Sequence, residues 1–185
     1  KADIIALAED LSKRDCFCFD TETTGLDPLE AELVGIAFSW EAHQAVYVSF
    51  SDDRKLTLDW LRVLKPVFSD ASIEKIGQNL KYDLHILKNY DIEVKGSLFD
   101  TMLAHFILRP EQKHNLSVLA EQYLGYTMVE IESLIGKKGA GQSSFRSVAP
   151  EKACEYAGED ADITWQLSGI LKKEISEQGF ETLSG

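Results

Sequence analysis

Apolar residues recur along this chain with two different periods, and the switches between the periods mark its elements. Residues 4–12 show helical spacing and predict an opening helix. Cys16-Phe17-Cys18-Phe19 follows, a short apolar and aromatic run that reads as a buried strand. Gly25-Leu26-Asp27-Pro28 is turn chemistry, and residues 33–40 and 44–50 read as the two arms of a hairpin. A helix is expected from about Leu58, with Pro66 opening a second helical turn, and then a short strand at 74–77. Helical patterns cover 80–89, 101–108, 116–124 and 150–177. Three strands, a helix, a strand and further helices predict an α/β domain. No repeat or linker divides the chain, so residues 1–185 are read as a single domain.

Composition agrees with that picture. A chain of 185 residues with 44% hydrophobic content can bury a substantial core. No apolar stretch approaches the roughly 20 residues of a membrane span and no signal peptide is visible, so the expected compartment is the cytoplasm, with no membrane partner. An odd count of three cysteines without zinc-type spacing argues against a disulfide framework; Cys16 and Cys18 are expected to pack in the core.

Candidate chemistry lies in three acidic segments. If the strand at Cys16 extends to Glu22, Asp20 and Glu22 point to one face at its end. Asn79 and Asp83 are four residues apart in a helical stretch, and so are Tyr156 and Asp160, which places each pair on one helix face. Taken singly these are ordinary features: an Asp-x-Glu after a strand is commonly a turn or cap, and a Tyr four residues from an Asp is commonly a surface pair. Brought together, the carboxylates would repel, and at least one would take up a proton. Divalent cations remove the conflict, and magnesium suits oxygen ligands in segments that hold neither His nor Cys. Two such cations, about 4 Å apart, can stabilise both the attacking and the leaving oxygen of a phosphodiester. Phosphodiester hydrolysis is the predicted chemistry.

These segments resemble the 3′→5′ exonuclease domain of bacterial DNA polymerase I, within the DEDD exonuclease superfamily. Phe19-Asp20-Thr21-Glu22-Thr23 is similar to its first motif, Gly77-Gln78-Asn79-Leu80-Lys81-Tyr82-Asp83 to its second and Tyr156-Ala157-Gly158-Glu159-Asp160-Ala161-Asp162 to its third. Phe99-Asp100-Thr101-Met102-Leu103 and Leu116-Ser117-Val118-Leu119-Ala120 resemble stretches between them, so the likeness covers most of the chain. Glu155 stands where one branch of the superfamily has His and Tyr156 where the other has Tyr, which implies the tyrosine branch. The second motif resembles polymerase I more than ribonuclease D.

The resemblance implies a ribonuclease H-like mixed five-stranded sheet flanked by helices. It implies two divalent metal ions, Mg2+ or Mn2+, with Asp20 bridging both, Glu22 and Asp160 completing the tighter site and Asp83 holding the second partly through water. Tyr156, with Glu22, would orient the attacking water, and a 5′-mononucleotide would leave from the single-stranded 3′ end of DNA, as in proofreading. Leu26 matches an apolar wedge against the terminal base, and Thr23, Gln78 and Asn79 match positions near the substrate backbone. The family's aromatic clamp is left unplaced between Tyr126 and Phe145. The net charge of -12 is an objection to free binding of nucleic acid, so help from a covalently attached polymerase domain is expected. Beginning at Lys1 rather than Met, the chain is read as a piece of a longer polypeptide. The alternatives are a ribonuclease D-like RNA exonuclease and a DNA-binding module without catalysis; the latter is disfavoured because all four motif carboxylates are present.

Other features take plainer readings. Residues 136–143 have glycines at P-loop separation, but Gln142 stands where the lysine is needed and no strand is expected before it. Residues 137–144 read as a polar, mobile loop, either touching the DNA backbone through Lys137 or Lys138 or simply solvated. The four histidines lack metal-pair spacing and take structural or surface roles, His114 being the least clear. Trp40, Trp60 and Trp165 could stack on bases, though the last two lie in helical patterns and read as core. Glu159 and Asp162 are turned off the Asp160 face of their helix and are expected to face solvent or support the site from behind.

Overall fold

A computed structural model of the chain describes residues 2–139 and 141–179. Five strands form one mixed sheet in the order β3-β2-β1-β4-β5. They are β1 (Cys16–Thr23), β2 (Leu33–Glu41), β3 (Gln44–Ser49), β4 (Glu74–Gly77) and β5 (Leu98–Asp100). The hairpin β2-β3 runs antiparallel beside β1, whereas β4 and β5 add parallel strands on its other side. β1 is therefore central and covered on both faces, which is why its first half, Cys16-Phe17-Cys18-Phe19, is an apolar run rather than a clean alternation.

Strand periodicity divides those apolar residues between two cores. Phe17 and Phe19 point to one face and meet Phe38 and Phe68, with the Phe19 and Phe68 rings edge-on at 5.1 Å. Helices α1 (Ala2–Leu11), α2 (Arg54–Phe68) and α3 (Leu80–Lys88) close this face. Cys18, as expected of a core residue, points to the other face and packs with Ile76, Phe99 and the long closing helix. That face is covered by α4 (Thr101–Leu108), by α5 (Leu116–Leu119) with its wide π-type continuation Ala120–Leu124, and by α7 (Pro150–Gln178). A short helix α6 (Glu132–Ile135) and a 3-10 turn (Phe145–Ser147) lie in the connection before α7. Among the described residues no helix is long and apolar enough to cross a membrane.

Three differences from the sequence expectations have simple causes. α2 starts at Arg54 rather than near Leu58, because Asp53 caps it by accepting from the Lys55 and Leu56 amides. It also runs through Pro66 instead of restarting there: the missing amide falls in the last turn, where burial of Leu64, Val67 and Phe68 holds the helix together. β5 was not anticipated, since three residues are too few to show a period.

Two polar devices tie the β4-β5 side together. Lys75 on β4 is fully buried, and its ammonium donates to the carbonyls of Asp70, Ile73 and Lys95, joining the two loops beside that strand. Asp100, the last residue of β5, accepts from the amides of Met102 and Leu103 at the start of α4. Its carboxylate also accepts from the amides of Asn79 and Leu80, where α3 begins. One side chain thus caps two helices. Asp100→Ala should cost about 1–3 kcal/mol, more than an ordinary cap, because two helix starts lose their acceptor together. Urea denaturation monitored by circular dichroism checks this; a loss of a few tenths of a kcal/mol would show that water replaces the carboxylate.

Candidate active site

Small side chains make the site. On β2, Gly35 pairs with Glu22 and Ala37 with Asp20, so the strand beside the two acids offers almost no side-chain bulk on the α7 face. Ala157 and Ala161, one turn apart on α7, are fully buried and pack on Ala37. The helix can therefore settle close to the sheet, and Tyr156 and Asp160 descend with it toward the end of β1. Carboxylate oxygens of Asp20, Glu22 and Asp160 come within 4.8 Å of one another. The shared face of Asp20 and Glu22 and the helical pairing of Tyr156 with Asp160 are the geometry the sequence implied.

Asp83 arrives from α3 by a different route. It is buried and lies outside that three-carboxylate group; its Oδ1 accepts from the Thr21 amide at 3.0 Å and from the Thr21 hydroxyl at 2.5 Å. Thr21, between the two acids of β1, is thus the anchor of the fourth carboxylate, a role its sequence context did not announce.

Burial opposes the charge on every member of the group. Desolvation, and then the Asp160 carboxylate, hold Asp20 well above the usual carboxylate range. Glu22 is raised by burial, then by Asp20, Asp160 and Asp83. For Asp83 burial and Asp20 outweigh the lowering effect of the Thr21 hydrogen bonds. Asp160 is pushed up to about 7 by burial, against a hydrogen bond from Tyr156 that favours its ionised form. The Tyr156 phenol is raised by burial and by the carboxylates of Asp160, Glu22 and Asp20, so it remains a neutral hydroxyl.

This arrangement fits hard divalent cations. All the donors are carboxylate oxygens, and Glu22 Oε1 is buried without a hydrogen-bond partner, an acceptor the fold itself does not use. The three grouped acids are the ones positioned to hold such an ion.

The expected substrate positions divide. Leu26 is 82% exposed on the loop after β1, which is held by Tyr82 donating to the Gly25 carbonyl and Asn89 donating to the Pro28 carbonyl. Thr23 binds that loop too, with its hydroxyl bonded to the Gly25 carbonyl and within 2.5 Å of the Tyr82 hydroxyl. Asn79, exposed and in the left-handed region at φ 60, has a side chain that makes no cap bond. Gln78 is engaged within the fold, its amide donating to the His114 carbonyl and accepting from the Thr101 hydroxyl. Of the two aromatics that bound the unplaced clamp, Phe145 packs on Tyr156 at 5.8 Å, whereas Tyr126 donates to Glu159.

Residues beside the third segment work as tethers. Glu159 also accepts from the Val129 amide, and Asp162 accepts from the His43 amide at the turn of the β2-β3 hairpin. The histidines at 105 and 114 face each other with Nδ1 atoms 2.7 Å apart, a pairing that the sequence did not show. Trp60 packs near Phe50, while Trp40 lies under the Arg14 guanidinium. The 136–143 stretch follows α6 rather than a strand and closes through the Ser143 amide on the Ile135 carbonyl, which leaves no P-loop.

A mixed sheet in this order, with carboxylates gathered at the end of its central strand beneath the last helix, defines a nuclease of ribonuclease H-like architecture. The chain belongs to the 3′-5′ exonuclease family, whose model matches residues 1–176. It is 36% identical over 174 residues to DNA polymerase I of Pseudomonas aeruginosa, an alignment covering 89% of this chain and 19% of that protein. The chain thus spans about a fifth of that relative's length. Among solved structures, Escherichia coli RNase D, an exoribonuclease involved in structured RNA processing, superposes with a TM-score of 0.77 at 20% identity, covering 100% of this chain and 46% of that one. Brucella melitensis NrnC with bound Mg2+ gives 0.72 at 20% identity, covering 95% and 80%.

The raised carboxylates have a consequence for stability. The folded protein holds the Asp160 proton more tightly than the unfolded chain does, so ionisation of this group works against the fold. Its stabilising contribution is complete below the ordinary value of 3.8 and is lost as pH rises to about 7. Cation-free protein should therefore be less stable at about pH 8 than at about pH 5, and Asp160→Asn should flatten the decline. Urea titrations in chelator measure both. Millimolar manganese should restore the loss by binding only the native cluster.

Proposed function

We propose that this chain is the proofreading 3′-5′ exonuclease domain of a family A DNA polymerase, trimming the single-stranded 3′ end of DNA to 5′-mononucleotides. The observation that carries the reading is the convergence of Asp20, Glu22 and Asp160 within 4.8 Å, with Tyr156 one helical turn before Asp160, in a chain of this family. DNA is favoured as substrate by the 36% identity to a DNA polymerase I. The net charge of -12 makes a weak, salt-sensitive hold on DNA the expectation for the domain alone, and favours delivery of the strand by an attached polymerase domain.

Asp20, Glu22 and Asp160 would hold one divalent ion. Asp83, kept in place by Thr21, would share a second with Asp20; the NrnC relative with bound Mg2+ makes magnesium the first ion to test, with manganese beside it. When bound, such a pair supplies charge neutralisation on the scissile phosphate and lowers the pKa of water toward neutrality.

The chain's own groups then set direction. One turn before Asp160 on α7, Tyr156 would donate its proton to that carboxylate, which leaves its oxygen lone pairs to accept from the attacking water. Glu22, in the same carboxylate group, would help to orient that water. Leu26 would press on the terminal base from its exposed loop, and Asn79 offers an amide to the adjacent backbone. Lys137 and Lys138, exposed in the loop before α7, would contact phosphates further along the strand.

The test is to incubate 5′-labelled single-stranded DNA and RNA of equal sequence with the protein and magnesium. A ladder shortening from the DNA 3′ end supports the reading; preference for RNA would place it with ribonuclease D-like trimming, and no cleavage of either would favour a binding module. Asp20→Ala should abolish hydrolysis while the fold persists, whereas Asp162→Ala should lose much less. Tyr156→Phe should slow single-turnover cleavage by about tenfold to a thousandfold while manganese affinity, measured by calorimetry, stays close to wild type. A variant that binds manganese as poorly as Asp20→Ala would make the tyrosine structural.

A further inference from the structure

A second phenol lies beside the cluster. Tyr47 is on β3, where it pairs with Ala37, the residue that in turn pairs with Asp20. Its ring leans along the sheet over Gly35: a Cβ built on that glycine would stand 2.1 Å from the Tyr47 hydroxyl oxygen. Gly35 is the direct cross-strand neighbour of Glu22, and the Cβ atoms of such neighbours lie about 5 Å apart. The hydroxyl thus occupies the place that a side chain of Gly35 would fill, next to the Glu22 side chain. Both groups are left over: the Tyr47 hydroxyl is buried without a hydrogen-bond partner, and so is Glu22 Oε1. A buried polar atom without a partner calls for an explanation, and of these two one can donate while the other, when ionised, can only accept.

We propose that Tyr47 is a positioning residue of the site, donating its hydroxyl to Glu22 Oε1 and fixing that carboxylate when the acidic cluster holds its cations. The inference rests on the exonuclease reading above and assigns a support to one of its ligands. A carboxylate oxygen has two lone-pair directions, so one can face a cation while the other accepts from the phenol. Such outer hydrogen bonds orient ligating carboxylates and tune their affinity. The phenol is suited to the task because burial, and then the Glu22 carboxylate, raise its pKa and keep it a donor. Packing between Val34, Phe145 and Ala153 on one side and Ala157 and Ala161 of α7 on the other holds the ring in this seam.

Tyr47→Phe deletes the hydroxyl and keeps the ring. Manganese calorimetry should show about tenfold weaker binding in this variant. Added to Glu22→Ala, which still has Asp20 and Asp160 to bind manganese, Tyr47→Phe should cause no further loss, because its partner is already gone. In chelator its melting temperature should equal or exceed that of the wild type, since an unpartnered buried hydroxyl contributes nothing to the cation-free fold. Turnover should fall with KM unchanged. Wild-type manganese affinity in Tyr47→Phe would overturn the proposal, as would an equal loss in the presence and absence of Glu22. If the wild type binds manganese yet degrades neither DNA nor RNA, the exonuclease reading falls, while the coupling of Tyr47 to Glu22 is still read by calorimetry.

Discussion

The closeness of α7 to β2 is the constraint on which the rest of this molecule depends. Two of the residues that define the site come from the last helix and two from the first strand, and only side chains of one carbon or none separate their supports. Ala37 beneath Ala157 and Ala161 sets the depth of the helix, and Gly35 leaves the adjoining space to an aromatic ring. A larger residue at Ala37, Ala157 or Ala161 should lift Asp160 from Asp20 and Glu22, whereas one at Gly35 meets the Tyr47 ring first. Packing at this seam and chemistry at the strand end are one arrangement.

Holding the acids together runs against their electrostatics. All four are desolvated, and Asp20, Asp83 and Asp160 each raise the pKa of Glu22, so the cation-free fold tolerates a cluster that contributes nothing favourable of its own. The cost is offset by the two hydrophobic layers around β1 and by local bonds such as those from Thr21 to Asp83. Strain of this kind is what a preorganised site requires: the groups stand in place before the ion arrives.

Much of this was legible in the chain because the relevant physics is local. Period-two alternation placed Asp20 and Glu22 on one face, and helical periodicity joined Tyr156 to Asp160. The apolar run at Cys16 announced a central strand. What could not be read depends on partners distant in sequence. Gln78 looks available to substrate until His114 and Thr101 are seen to occupy its amide. Asp53 shows as a cap only once the helix behind it is known to start at Arg54, and Pro66 reads as a breaker unless the burial around it is known. β5 is too short to carry a pattern, and it is held in register by β4 alone. Tyr47 carries no local mark; its interest comes from a glycine on the neighbouring strand.

The double cap at Asp100 reaches further than local stability. Because one carboxylate serves the first turns of both α3 and α4, neither helix can fray at that end without disturbing the acceptor of the other. The two behave as one cooperative opening unit, with a shared protection against amide exchange rather than two separate ones. α3 carries Asp83, and α4 carries Thr101 and His105, so fluctuations far from the acids, on the outer edge of the sheet, are felt at the carboxylate that Thr21 holds. Loosening of the sheet's edge should therefore reach the site through α3, the helix that starts on the Asp100 carboxylate and carries Asp83.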